Sequence, residues 1–285
     1  IDVWNKPELG FEEKFAAKRQ IEILQEFGFK VDNPYSIETA FRAEWGEGDV
    51  VFAIASEYDA LPELGHACGH NLICAAALAA ARATQQMLKK YSLPGKVVVL
   101  GTPGEESIGG KVIMLKENCL DGIDAVMMLH PSWRNTMDMG CTAINRLKIE
   151  YFGKSTHAAG SPEKAINALD AAIVLFNSVG LWRQQLPESS RVHGIIEEGG
   201  QRPNIIPDYT RSYFFLRSPE DDVLEVMNKQ FAEIVEGAAK ITGCTFNMYP
   251  HNQPYKARKP NTTMNLRYKA AMEAQGREVQ EVTAG

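Results

Sequence analysis

Two histidines and a cysteine occur within the six residues HACGHN, at positions 66–71. The whole chain has six histidines and five cysteines, so this short stretch is unusually rich in side chains that bind metals. Imidazole and thiolate are ligands of zinc, and imidazole also binds manganese. A thiol beside an imidazole can instead act as a nucleophile. The stretch therefore leaves three alternatives: a metal site, a cysteine nucleophile, or an ordinary start of a helix.

Further side chains of ligand type follow three predicted strands. The apolar strands are predicted within 48–62, 94–107 and 124–131. In a doubly wound sheet, ligands bind outside the carboxyl ends of the strands. We therefore expect the polar side chains after these strands to lie close to Cys68 and His70. They are Asp59, His66, Glu105, Glu106 and His130.

The adjacent carboxylates Glu105 and Glu106 indicate hydrolytic chemistry. One can coordinate an ion while the other takes a proton from a metal-bound water. The cysteine-hydrolase alternative is weaker, because His70 is only two residues from Cys68 and catalytic partners of a cysteine usually come from distant segments. It also gives no role to either carboxylate. The residues therefore favour a metal site.

The elements that must position these side chains form two patterns. Strands alternate with helices over 1–143, which predicts an α/β catalytic domain with a doubly wound, mainly parallel sheet. The order over 144–254 is β-α-β-β-α-β, which predicts a ferredoxin-like domain. A helix beginning near 260 is predicted to return 255–285 to the first domain. The small domain is then an insertion.

Composition excludes several classes of partner. The chain has 285 residues, 45% of them hydrophobic and 23% charged, with a net charge of −6 and no polybasic run. This argues against nucleic acid or an anionic membrane as the main partner. We find no apolar stretch of transmembrane length and no signal-peptide pattern at the first residue. Five widely spaced cysteines fit a reducing compartment, so a cytoplasmic location is predicted.

The sequence resembles the dinuclear metallopeptidases that include aminoacylases, carboxypeptidase G and peptidase T. It is most similar to the amidohydrolase subfamily of p-aminobenzoyl-glutamate hydrolase and the acyl-amino-acid or β-alanyl dipeptide hydrolases. The resemblance implies an enzyme that cleaves the amide bond of N-acyl amino acids, aminobenzoyl-glutamate-like compounds or small dipeptides with a free carboxylate. The matching stretches, in family order, are NKPELGFEE (5–13), SEYDALPELGHACGHNL (56–72), GTPGEESIGGK (101–111), MLHPS (128–132), GKSTHAAGSPEKAINALDA (153–171) and GGQRPNIIPDYT (199–210).

The resemblance also implies roles for individual residues. Two divalent ions, zinc or manganese, would be bound, with His70 bridging them. Glu105 would be the general base, and Asp59 would orient a ligand imidazole, as metal-bound histidines usually require. His66 receives no ligand role and only shapes the turn. The implied metal ligands are Cys68, His70, Glu106 and His130.

The small domain contains three further positions that match the family. His157 would be a lid histidine that reaches the active site of a partner subunit and stabilises the oxyanion, which implies a homodimer formed through 144–254. Asn204 would bind the carbonyl oxygen of the substrate, and Arg217 its carboxylate. Without the resemblance, Asn204 fits a turn in PNIIPD and Arg217 fits an exposed strand edge.

Two features depart from the family pattern. Family members continue beyond EVQEVTAG with a segment that supplies a last histidine ligand, so we expect this chain to be a fragment. Glu57 occupies a position where other branches have a histidine ligand, and it is not counted as a ligand because Cys68 takes over that role. The missing histidine leaves one alternative function, a non-catalytic dimeric homologue with a degraded metal site.

Overall fold

A computed structural model of the chain describes residues 1–107, 109–138 and 140–280. The chain divides into two compact units, Ile1–Trp133 and a second that begins at Arg134. In the described ranges, no helix has the length and apolar character needed to cross a membrane.

The first unit is an α/β unit around one five-stranded sheet, with strand order β1-β2-β4-β3-β5. Strand β3 is parallel to both β4 and β5, which confirms the predicted parallel strands. Its helices and strands are α1 (Asp2–Asn5), α2 (Lys14–Glu26), β1 (Lys30–Asp32), β2 (Phe41–Glu47), β3 (Val51–Ser56), α3 (His70–Lys90), β4 (Gly95–Gly101), α4 (Gly110–Lys116) and β5 (Ala125–Met127).

Strands β1 and β2 are antiparallel additions to one edge of this sheet, and the sequence pattern did not predict them. Strand β1 has only three residues, and the FRAEWGE sequence of β2 mixes charged residues and a glycine with its apolar residues. Antiparallel edge strands are common on otherwise parallel sheets. The finding extends the predicted sheet without changing its α/β class.

Helices α2 and α3 cover one face of the sheet. Leu24 of α2 and Ala81 of α3 are fully buried against Val97 and Val99 of β4. The opposite face of the sheet is also apolar. The buried residues that pack there in a separate cluster are Val51, Ala53, Val98 and Leu100. Because both faces are covered, β3 and β4 are apolar along nearly their whole length. The polar candidate residues of the site follow the carboxyl ends of these two strands.

The second unit contains a four-stranded antiparallel sheet in the order β7-β8-β6-β9. Helices α5 and α6 pack on one face of it, around a buried cluster that includes Leu175, Phe214 and Phe231. This arrangement confirms the ferredoxin-like domain. Its elements are β6 (Ala143–Phe152), α5 (Ala168–Trp182), β7 (Arg191–Glu198), β8 (Tyr209–Ser218), α6 (Asp221–Thr242), β9 (Thr245–Pro250) and a further helix, α7 (Thr262–Glu273).

The predicted domain limits at 143/144 and 254/255 stay predictions. The ferredoxin-like elements span Ala143 to Pro250. The division into compact units falls earlier, after Trp133, and groups α7 with the second unit.

Candidate metal centre

Side chains from three strand ends and the start of α3 meet in the first unit. They form two groups, and in each group the candidate ligand atoms all lie within 4.8 Å of one another. His70 belongs to both groups. The first group is Cys68, His70 and His130, and the second is His70, Glu105 and Glu106.

His70 is the first residue of α3, and its ring is completely buried. Its Nδ1 lies 2.8 Å from Oδ1 of Asp59 and 3.1 Å from the Asp59 backbone oxygen. Both oxygens accept hydrogen bonds, so Nδ1 carries the hydrogen and Nε2 is left as the single possible ligand atom. An imidazole in this orientation binds one ion. The bridging role predicted for His70 does not fit this geometry.

Asp59 holds two parts of the centre together. Its Oδ1 contacts His70, and its Oδ2 accepts a hydrogen bond of 2.8 Å from the backbone N–H of Glu106. Burial alone would raise the pKa of Asp59, but the hydrogen bonds from His70 and Glu106 outweigh it and lower the pKa. The carboxylate therefore stays ionised where it can orient the imidazole, the role that the sequence predicts for it.

A proton and a metal ion compete for the free nitrogen of His70. Burial lowers the pKa of His70, but the hydrogen bond to Asp59 and the nearby charge of Glu57 outweigh that effect and raise it. Metal binding to a histidine requires the neutral ring. The same negative charges that raise this pKa also attract a cation.

Cys68 and His130 face each other across the first group. The Sγ of Cys68 lies 3.7 Å from Nε2 of His130, and Nδ1 of His130 donates to the Pro131 backbone oxygen over 3.0 Å. A zinc ion with ordinary Zn–S and Zn–N bond lengths and a tetrahedral angle separates sulfur and nitrogen by roughly 3.6 Å. The observed spacing fits such an ion.

The surroundings of Cys68 do not favour a free thiolate. Burial, a hydrogen bond with Glu106 and the charges of Glu105 and Glu57 together raise the pKa of Cys68 to about 12. Nucleophilic cysteines have lowered pKa values and lie beside cations or helix N-termini. A bound metal ion deprotonates a coordinating thiol outright.

Glu105 and Glu106 approach the same imidazole nitrogen. Nε2 of His70 lies 4.0 Å from Oε2 of Glu105 and 3.9 Å from Oε1 of Glu106. Burial raises the pKa of Glu105, and this effect outweighs the opposing effect of the positive charge of Lys111. A general base whose pKa is raised towards neutrality transfers protons more effectively.

Glu13 supports the loop that carries these carboxylates, and no role was predicted for it from the sequence. It is fully buried, and its Oε1 accepts a hydrogen bond of 2.7 Å from the backbone N–H of Gly104. Its Oε2 accepts a second one, 2.9 Å long, from the hydroxyl of Thr39. Glu13 lies in the stretch NKPELGFEE, which matches the family, and this match is the one sign in the sequence that Glu13 could matter for the site. Its contact with a residue 91 positions away had no signature in the sequence.

The remaining predicted residues lie elsewhere. His66 is outside both groups, and its Nε2 contacts the backbone oxygen of Val3 over 3.1 Å. In the second unit, the segments of His157 and Asn204 are brought together by a 3.0 Å hydrogen bond from the Ala158 N–H to the Asn204 carbonyl. Arg217 lies on β8, and its buried Nε has no hydrogen-bond partner in the described part of the chain. The roles of these three residues stay predictions.

Gly69 brings the turn of Cys68 and His70 against the segment of His130. It has a left-handed backbone, with φ +83°, and an added Cβ would lie 2.6 Å from Cγ of Pro131. We expect Gly69→Ala to lower the free energy of unfolding by about 1–2 kcal/mol through backbone strain alone. The clash with Pro131 should add to this and weaken metal binding. Thermal unfolding and zinc titration measure the two effects.

Gly122→Ala is the matched control for this substitution. Gly122 also has a left-handed backbone, with φ +71°, but nothing lies within 4 Å of an added Cβ. It should show the strain without the loss of metal affinity. Equal zinc affinity in the two variants would show that the contact with Pro131 does not position the ligands.

The chain resembles known proteins in both sequence and fold. The sequence profile of peptidase family M20/M25/M40 matches residues 49–285. The Xaa-Arg dipeptidase of Mus musculus is 37% identical, over 93% of this chain and 65% of its own length. One subunit of the p-aminobenzoyl-glutamate hydrolase of Escherichia coli (strain K12) is 34% identical, over 85% of this chain and 55% of its own length. The chain thus spans less than two thirds of either relative.

Solved structures share the fold. A dinuclear metal-binding peptidase of the M20 family from Bacillus subtilis superposes with a TM-score of 0.78. It is 21% identical, and the match covers 99% of this chain and 79% of that one. At this identity the likeness concerns the fold alone.

Proposed function

The chain belongs to peptidase family M20/M25/M40, and on that premise we propose that it is a metal-dependent hydrolase of amide bonds. Membership confirms the resemblance that the motifs carried. The proposed substrates are N-acyl amino acids, aminobenzoyl-glutamate-like compounds and small dipeptides, each with a free carboxylate. Relatives named as a dipeptidase and as an aminobenzoyl-glutamate hydrolase support this choice.

The single observation that carries the proposal is the pair of ligand groups that share His70. Their thiol, imidazoles and carboxylates form a donor set suited to zinc, and the imidazoles and carboxylates also suit manganese. The buried Nε2 of His70 has no hydrogen-bond partner in the described residues, as expected of an atom reserved for a ligand. We propose that Cys68, His70, Glu106 and His130 hold two divalent ions.

The chemistry divides between the ions and the side chains. Bound ions would lower the pKa of water and polarise the scissile carbonyl. Glu105 accepts the proton of the attacking water and returns it to the leaving nitrogen, for which its raised pKa is suited. Asp59 keeps the imidazole of His70 in one tautomer and one orientation. The high pKa of the Cys68 thiol supports a ligand role over the alternative role of nucleophile.

We further propose a homodimer formed through the second unit. In it, His157 would stabilise the oxyanion in the active site of the partner subunit, and Asn204 would bind the carbonyl oxygen of the substrate. His157 is exposed, as a residue that serves a partner subunit must be. Its Nδ1 accepts a hydrogen bond from the Ala159 N–H over 3.2 Å, which leaves Nε2 free to donate.

Arg217 is the proposed anchor for the substrate carboxylate. Removal of one hydrogen bond between charged groups costs about 1.5–3 kcal/mol, so Arg217→Ala should raise KM roughly 10–150-fold for substrates with a free carboxylate. Amide-capped versions of the same substrates should change much less. Steady-state kinetics on both series give the measurement.

Arg211→Ala provides the control, because Arg211 lies on the same strand and the same face but is paired with Glu197. It should leave KM nearly unchanged for both substrate series. Equal KM increases for free and capped substrates in Arg217→Ala would remove the proposed role.

The proposed activity is tested on the full-length protein. Elemental analysis should find close to two zinc or manganese ions per chain, and incubation with the three substrate classes should release a free amino acid from at least one. Absence of both metal and turnover would overturn the proposal and favour the non-catalytic homologue.

A further inference from the structure

Glu57 is a buried carboxylate that the proposed centre does not use. Its side chain is 2% exposed, and its Oε1 is paired with the ammonium group of Lys111. Its Oε2 is buried and has no hydrogen-bond partner among the described residues, and the same holds for Nε2 of His70. These two atoms lie 3.3 Å apart.

Two such atoms cannot satisfy each other. A carboxylate oxygen only accepts hydrogen bonds, and Nε2 of a His70 ring that carries its hydrogen on Nδ1 also only accepts. Buried polar atoms in proteins are hydrogen-bonded or coordinate metals, because an unsatisfied one is costly to remove from water. A cation between the two atoms, either a proton or a metal ion, would satisfy both.

The spacing fits a metal ion. Zinc binds imidazole nitrogen and carboxylate oxygen at similar distances, so two such ligands at a tetrahedral angle lie roughly 3.3 Å apart. The observed separation of 3.3 Å equals this spacing. Lys111 occupies the other carboxylate oxygen and thereby fixes Oε2 towards His70.

We propose that Glu57 is a further metal ligand of this chain, binding through Oε2 the same ion as Nε2 of His70, while Lys111 positions its carboxylate. The proposal rests on the metal centre proposed above and adds a ligand to it. From the sequence, Glu57 is not expected to be a ligand because Cys68 takes over that role, and the proposal reverses this expectation.

Zinc titration of the metal-stripped full-length protein tests the role without any activity measurement. Loss of a residue that only orients a ligand costs about 10–100-fold in metal affinity. Glu57→Gln should therefore weaken one zinc site by roughly 100-fold or more, and Lys111→Met should fall within the smaller range. Glu44→Gln, which removes a carboxylate paired with Arg42 on the same sheet, should leave zinc binding unchanged.

A second variant controls for misfolding of Glu57→Gln. Glu57→Gln leaves Lys111 without its carboxylate partner, so the double variant Glu57→Gln/Lys111→Met removes both charges and should lose zinc affinity to the same extent as Glu57→Gln. Cobalt substitution adds a direct readout, because removal of a ligand should change the visible absorption bands of the bound ion. Unfolding curves of the metal-free proteins show whether each variant is folded.

The outcomes separate this proposal from the one it rests on. Two zinc ions bound equally tightly by wild type and Glu57→Gln, with unchanged cobalt spectra, would overturn the ligand role and indicate a proton between Glu57 and His70. The proposed centre would survive that result. Wild-type protein that binds no zinc or cobalt would overturn both.

Discussion

Glu105→Gln is expected to lower kcat by roughly 10²–10⁴-fold while both metal ions stay bound, since that is the usual contribution of a general base. Glutamine keeps the size and hydrogen-bonding shape of the side chain but cannot accept a proton. Glu105 lies 4.0 Å from the imidazole nitrogen of His70, close enough to contact a water at the centre. Elemental analysis and steady-state kinetics on the same preparation give the two readouts.

Two variants make this result interpretable. Glu117→Gln, at the end of α4 and outside both ligand groups, should leave both readouts unchanged. Glu106→Gln removes a proposed ligand and should lose metal together with activity. A Glu105→Gln enzyme with normal kcat would contradict the proposed mechanism, and one that loses metal would place Glu105 among the ligands instead.

The second large effect is expected from Cys68→Ala/His70→Ala. These substitutions remove the thiol of the first group and the imidazole that belongs to both groups. The variant lacks two of the four proposed ligands, and we expect it to retain essentially no zinc or manganese and no turnover. Metal analysis after dialysis and a substrate assay measure this.

The double variant Cys141→Ala/His251→Ala is its matched control. It removes one thiol and one imidazole of exposed residues in the second unit. Metal content and turnover should equal those of wild type. Two ions retained by Cys68→Ala/His70→Ala would contradict the proposed centre. Loss of turnover with metal retained would revive the cysteine nucleophile.

The sequence was sufficient to predict the parts of the site that depend on strand ends. Strands β3, β4 and β5 are apolar runs followed by polar residues, and their parallel pairing brings Asp59, Glu105 and His130 to one edge. The contact of Asp59 with His70 follows from the general need of a ligand imidazole for a partner on its second nitrogen.

The supporting contacts could not be predicted in the same way. Glu13 and Lys111 act through side-chain contacts with residues distant in sequence, and such pairings leave no periodic pattern. The family resemblance predicts that His70 bridges two ions. The contact of its Nδ1 with Asp59 leaves only Nε2 for a ligand, and the sequence does not determine this tautomer and ring orientation. Strand β1 is too short for a periodic signal and exists because β2 pairs with it.

The buried contact between Glu13 and the backbone of Gly104 bears on how this protein should be produced. The family profile begins at residue 49, and an expression clone cut at that boundary would discard Glu13 together with α2. The remaining polypeptide would lose the acceptor that anchors the loop of Glu105, and the apolar face of β4 beneath α2 would be uncovered. Aggregation of the truncated polypeptide would then reflect the choice of boundary and not an intrinsic inability of the first unit to fold.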